Sequence, residues 1–112
     1  MELPVLRALT DAYKLWHGVL PHLPRLSRYT LCAKIDALLI EAVETILLAG
    51  FAPRERKLSH VDVAVVKIDA LKFFLKLAWE MKLMDHKRYA ALAGPLAETG
   101  KMLGGWRKHL SA

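Results

Sequence analysis

The chain holds one cysteine, three serines and no uncharged run long enough to cross a bilayer. A lone Cys32 excludes an intramolecular disulfide and fits a reducing cytoplasm. Its apolar, helix-patterned surroundings predict a buried structural thiol. Ser27, Ser59 and Ser111 lie in no nucleophile-elbow context. Spanning a bilayer takes ~18 apolar residues, and uncharged stretches such as Tyr89–Ala97 reach about half of that. Met1–Leu6 carries Glu2 and Pro4 and lacks the basic and apolar regions of a signal peptide. The expectation is a soluble, cytoplasmic protein with no membrane partner.

Metal and catalytic constellations are equally scarce. His17, His22, His60, His86 and His109 are scattered, mostly at or beyond expected helix ends. No two share the i, i+4 spacing of a helical metal site, and no Glu-x-x-His motif of the di-iron bundles occurs. Gly104-Gly105 follows no strand and precedes no Gly-Lys-Ser/Thr, so it is not a phosphate loop. The residues point away from an enzyme and call for no cofactor and no metal.

What the chain does have is apolar, helix-forming sequence. Hydrophobic residues make up 54% of its 112 positions, against six glycines and five prolines, which predicts a folded chain and, at this length, one domain over residues 1–112. Punctuation falls at Pro21-His22-Leu23-Pro24, at Gly50-Phe51-Ala52-Pro53 and at Leu83-Met84-Asp85. Four helices follow, near 4–20, 25–49, 59–83 and 86–109. Ser59-His60-Val61-Asp62 resembles a capping box, Gly50 a C-terminal cap, and Asp85 an N-cap. No stretch alternates with a period of two, so no sheet is expected. Short connections favour an all-α, up-down-up-down antiparallel four-helix bundle.

Helix two is amphipathic: Leu31, Ile35, Leu38, Leu39, Ala42, Val43, Ile46 and Ala49 share a face opposite Lys34, Glu41, Glu44 and Thr45. Asp36 and, on helix three, Lys67 intrude on apolar arcs and are candidates to pair. Helix four is thin, with Ala90, Ala91, Ala93, Gly94, Ala97, Gly100, Gly104 and Gly105, which suggests close approach to a neighbouring helix. Pro95 predicts a kink near Ala91–Pro95.

Leu58–Leu83 is the most telling segment. At ~100° per residue, Asp62, Asp69, Lys72, Lys76 and Glu80 form a narrow polar stripe. The remaining arc is apolar over roughly twice the width of an ordinary surface helix. A helix buried on two sides needs a second surface beyond its own bundle, so self-assembly is expected. The expected contact residues are Val66, Phe73, Phe74, Leu77 and Met81, with Gly100 and Gly104 from helix four.

Lysine and arginine number 17 against 11 acids, a net charge of +6. That balance suits a polyanionic partner and is also that of a basic protein without one. In an antiparallel bundle Arg54, Arg56 and Lys57 gather with Arg107 and Lys108 at one end. Arg25, Arg28, Lys87 and Arg88 gather at the other, near Lys82, His17, His22 and His86. Arginine's planar fork matches phosphate, and Tyr29 and Trp106 lie beside the clusters. Copies arranged in a ring would multiply each cluster into a basic rim.

Arg28-Tyr29-Thr30-Leu31 with Lys34-Ile35-Asp36, the Leu71–Leu83 segment, and Gly100-Lys101-Met102-Leu103-Gly104-Gly105-Trp106 resemble a known family. They are similar to the accessory variability determinant (Avd) proteins of bacterial diversity-generating retroelements, relatives of four-helix proteins encoded in ribosomal RNA intervening sequences. The resemblance implies a four-helix bundle that forms a barrel-like homopentamer. It also implies a non-catalytic partner of a reverse transcriptase that binds RNA or DNA through basic residues and supports mutagenic reverse transcription. Of the basic residues named, only Arg28 lies in a matching motif; the others follow from charge geometry. Cys32 departs from the family pattern, which favours a small residue there, as does Gly94-Pro95 within helix four. The alternative is a four-helix protein of the intervening-sequence type, or a helical assembly module without a reverse transcriptase.

Overall fold

The computed structural model describes residues 3–111. They form four α-helices and no strand: α1 (Leu3–Val19), α2 (Leu31–Phe51), α3 (Arg54–Glu80) and α4 (His86–Ser111). Each helix packs against two neighbours, in the cyclic order α1, α2, α3, α4. Contacts along each seam run antiparallel. Trp16 meets Asp36, Glu41 meets Lys67, and Asp62 meets Arg107.

Burial follows the helical period. In α1 Val5, Leu9, Ala12 and Trp16 point inward at three- and four-residue steps. They meet Ile35, Leu39, Ala42 and Ile46 of α2, Val61, Ile68, Leu71 and Leu75 of α3, and Leu92, Leu96 and Leu103 of α4 in one apolar cluster. Each such large side chain contributes about 1.5–3 kcal/mol by leaving water. Cys32 is buried as expected, 3.5 Å from the Ser27 hydroxyl.

The expected boundaries need correction at both ends of α2. Arg25–Tyr29 is a 3₁₀ turn rather than the start of α2, and Leu20–His22 is another. The Ser27 hydroxyl donates to the Pro24 carbonyl at 2.6 Å, a local bond that competes with helix. Thr30, at φ −123° and ψ −101°, then breaks the helical geometry. At the far end Gly50 lies inside α2 without a positive φ, so it is not the cap. The chain turns at Ala52-Pro53, and α3 begins at Arg54, five residues early, with Glu55 in its first turn. The Ser59 hydroxyl donates to the Arg56 carbonyl within the helix, so no capping box forms there.

Asp85 does cap α4, accepting from the Arg88 backbone N–H at 2.8 Å. Helix α3 ends at Glu80 with Lys82 at φ 62°. There the Leu83 N–H reaches the Ala78 carbonyl and the Lys82 N–H the Trp79 carbonyl, both at 2.9 Å, a Schellman closure with lysine where glycine is preferred. Helix α4 runs unbroken through Pro95.

Three packing expectations also change. Asp36 does not pair with Lys67: it accepts from the Trp16 indole at 3.1 Å, while Lys67 reaches Glu41 at 2.9 Å. Thr45 is buried, its hydroxyl satisfied by the Glu41 carbonyl at 2.7 Å. A short hydroxyl residue satisfied by its own helix can occupy a core position that its polarity alone argues against. Gly94, Gly104 and Gly105 have open space where a Cβ would stand; only Gly100 is crowded, by the Lys72 side chain. Gly94, Gly104 and Gly105 are therefore not intrachain packing devices.

Candidate nucleic-acid and assembly surfaces

The two basic clusters occupy the two ends of the bundle, because α2 and α3 meet at Ala52-Pro53 beside the end of α4 while the 3₁₀ turns meet the α3–α4 connection. The nine basic residues expected to bind divide by their local bonds. Lys57 Nζ donates to the Ala49 and Gly50 carbonyls, both at 2.9 Å, and so closes the C-terminus of α2. Arg28 Nη2 donates to the Pro21 carbonyl at 2.8 Å and ties the two 3₁₀ turns together. Arg88 Nη1 pairs with Asp85 at 2.7 Å. Arg107 Nε lies 2.7 Å from Asp62 Oδ1 across the α3–α4 seam. That contact is one of charge rather than an aligned hydrogen bond, since Asp62 Oδ1 is buried without a hydrogen-bond partner. Arg25, Arg54, Arg56, Lys87 and Lys108 are exposed, and none of the five makes an ion pair among the described residues.

At the α3–α4 end a surface groove of about 390 Å³ brings His22, Lys82, His86 and Arg88 together beside Trp79. The Trp79 ring stacks on Tyr89 with centroids 4.7 Å apart and planes 7° from parallel, and His86 tilts against it at 5.7 Å. Lys82, His22 and His86 thus join the cluster that the arginines marked. Their signal in the sequence was position: all three stand in or beside connections at one end. Among the described residues, no group of three or more histidine, cysteine, aspartate or glutamate side chains is placed to hold a metal ion. No described helix is long and apolar enough to cross a membrane.

The outer face of α3 carries the other expected surface. Val66 is 67% exposed, Phe73 63% and Met81 57%, while Phe74 is half-buried against the core and Leu77 is half-buried. With Val63 and Ala70 they form a ridge at three- and four-residue steps, its Phe73 and Phe74 rings edge to face at 5.5 Å. Ion contacts frame the ridge, Lys67–Glu41 toward α2 and Asp62–Arg107 toward α4. Gly104 is exposed on α4 and Gly100 lies half-buried beside Lys72.

A family model described as bAvd-like matches residues 5–110. No curated protein and no solved structure matches the chain.

Proposed function

This chain belongs to the bAvd-like family, a family of non-catalytic accessory proteins of diversity-generating retroelements, and on that premise we propose that it binds a reverse transcriptase and nucleic acid through its two basic ends. The carrying observation is the placement of exposed cations that make no intrachain ion pair among the described residues: Arg54, Arg56 and Lys108 at one end, Arg25 and Lys87 at the other. Lys57, Arg28, Arg88 and Arg107 shape those ends through their local bonds. Phosphate contacts dominate, since no base-reading module is present in the sequence.

In this reading the protein is a homo-oligomeric scaffold, a barrel-like pentamer held by the apolar ridge of α3. Assembly repeats each basic end around a rim, so many weak phosphate interactions act together. The scaffold holds template RNA or nascent cDNA near the polymerase without taking part in the chemistry.

Binding of RNA and DNA across a salt series, with and without the cognate reverse transcriptase, tests this. Log affinity is expected to fall linearly with log salt. Arg54→Ala with Arg56→Ala should flatten the slope by about 0.7–0.9 for each phosphate that the variant no longer neutralises. A wild-type protein that binds neither nucleic acid nor polymerase at low salt overturns the proposal and leaves a plain helical assembly module.

A further inference from the structure

Charge is not spread evenly around the bundle. Helix α4 carries five lysine or arginine residues against one acid, Glu98, while α2 carries Lys34 against Asp36, Glu41 and Glu44. These two helices stand across the bundle from one another, since each packs on α1 and α3. The bundle therefore has a basic side as well as two basic ends. Two of the five cations on α4 are committed, Arg88 to Asp85 and Arg107 to Asp62. Lys87, Lys101 and Lys108 are exposed and make no ion pair among the described residues.

These three lysines are in line. At ~100° per residue they fall within about 60° of one another, on the side of α4 opposite the buried Leu92, Leu96 and Leu103. At ~1.5 Å per residue the line runs ~31 Å, along a molecule 44 Å in its longest dimension. Lys108 joins the cluster at one end and Lys87 the cluster at the other, with Lys101 between them. Gly94 and Gly105 lie in the same arc and leave open space there. The adjoining stripe of α3 adds no net charge, since Lys72 and Lys76 are balanced by Asp69 and Glu80. The excess belongs to α4.

At the Lys87 end the line meets the groove that holds Trp79 and His86, with Tyr89 stacked on the indole. The His86 side chain is exposed. We propose that a single strand of RNA or DNA lies lengthwise along α4 and links the two basic ends. Its phosphates follow Lys87, Lys101 and Lys108, and one base stacks in the His86–Trp79 groove. A single strand can follow a straight row of cations, whereas the phosphates of a duplex wind away from it. Only an unpaired base offers its face to an aromatic ring, and that stacking tolerates any sequence. The proposal rests on the nucleic-acid reading above and adds to it the path and the form of the strand.

Fluorescence anisotropy with labelled oligo-dT and oligo-U, and with a dA–dT duplex, across a salt series decides the point. Lys101→Ala, at mid-height and remote from both ends, is expected to flatten the single-strand slope of log affinity against log salt by about 0.7. Glu98→Gln, which removes the one acid of α4, should tighten binding. His86→Ala should weaken the single strand several-fold and leave the duplex unchanged. Circular dichroism confirms that each variant folds, which the exposure of all three sites favours. A slope that Lys101→Ala leaves unchanged, while Arg54→Ala with Arg56→Ala still flattens it, overturns the path along α4 and leaves the ends standing. Equal effects of His86→Ala on strand and duplex, including none on either, overturn the single-strand assignment. A wild-type protein that binds no oligonucleotide at low salt overturns the nucleic-acid reading itself.

Discussion

The Trp16 indole, fully buried, donates its one hydrogen bond to Asp36 Oδ1 at 3.1 Å. This pairing explains a carboxylate in the apolar arc of α2: an indole N–H in the core needs an acceptor, and α2 supplies it. The same carboxylate acts on Tyr13, whose hydroxyl is held above its ordinary pKa by burial first and then by its hydrogen bond and charge interaction with Asp36. Asp36→Ala should cost about 1–3 kcal/mol, because it strands the indole donor. Asp36→Asn, which keeps an acceptor, should cost less. Urea denaturation followed by tryptophan fluorescence measures both, and equal losses would show that the hydrogen bond is not the cause.

Lys82 closes α3 in the left-handed region at φ 62°. A lysine there carries a Cβ penalty of about 1–2 kcal/mol, offset in part by glycine's larger entropy loss of roughly 0.5–1 kcal/mol. Lys82→Gly is expected to raise the melting temperature. A lower melting temperature would mean that the lysine side chain contributes more than its backbone strain costs.

Lys57 and Arg56 are adjacent in sequence and differ in duty. Lys57→Ala should lower stability by about 1 kcal/mol, since it uncovers the last carbonyls of α2, while barely changing the salt dependence of nucleic-acid binding. Arg56→Ala should do the reverse. Thermal melts and salt-series binding on the two variants separate the roles.

Gly104 stands exposed with no atom within 4 Å of where a Cβ would lie. Within a single bundle Gly104→Ala should therefore stabilise α4 by about 0.8–1 kcal/mol, the propensity difference. Reduced stability together with failure to assemble would place this face of α4 at a subunit interface.

Glu41 beside Lys67 is held below its ordinary pKa of 4.5, chiefly by the hydrogen bond from the lysine and then by its charge. A carboxyl whose folded pKa is depressed stabilises the fold above the ordinary value, and that contribution fades as pH falls through the folded one. Wild type and Glu41→Gln should therefore differ at neutral pH and converge in acid. The pair is partly open to water, which screens it, so the difference should be small. Urea midpoints from neutral pH down into acid test the convergence; a gap that persists in acid would trace to packing rather than charge.

Local sequence was enough for the helices, the single buried thiol, the Asp85 cap and the doubled apolar arc of α3, because helical periodicity and capping chemistry act within a few residues. The gathering of basic residues at two ends also followed from helix order and short connections. Tertiary structure decided the rest. Whether Asp36 meets Lys67 or Trp16 depends on which side of α2 faces α1, and spacing along one helix cannot say. Lys57 and Arg56 read alike in sequence, and only the fold brings the carbonyls of α2 within reach of one and not the other. Gly104 looked like a packing residue because small residues permit close approach. The bundle turns that side of α4 to solvent, so within one chain the permission goes unused.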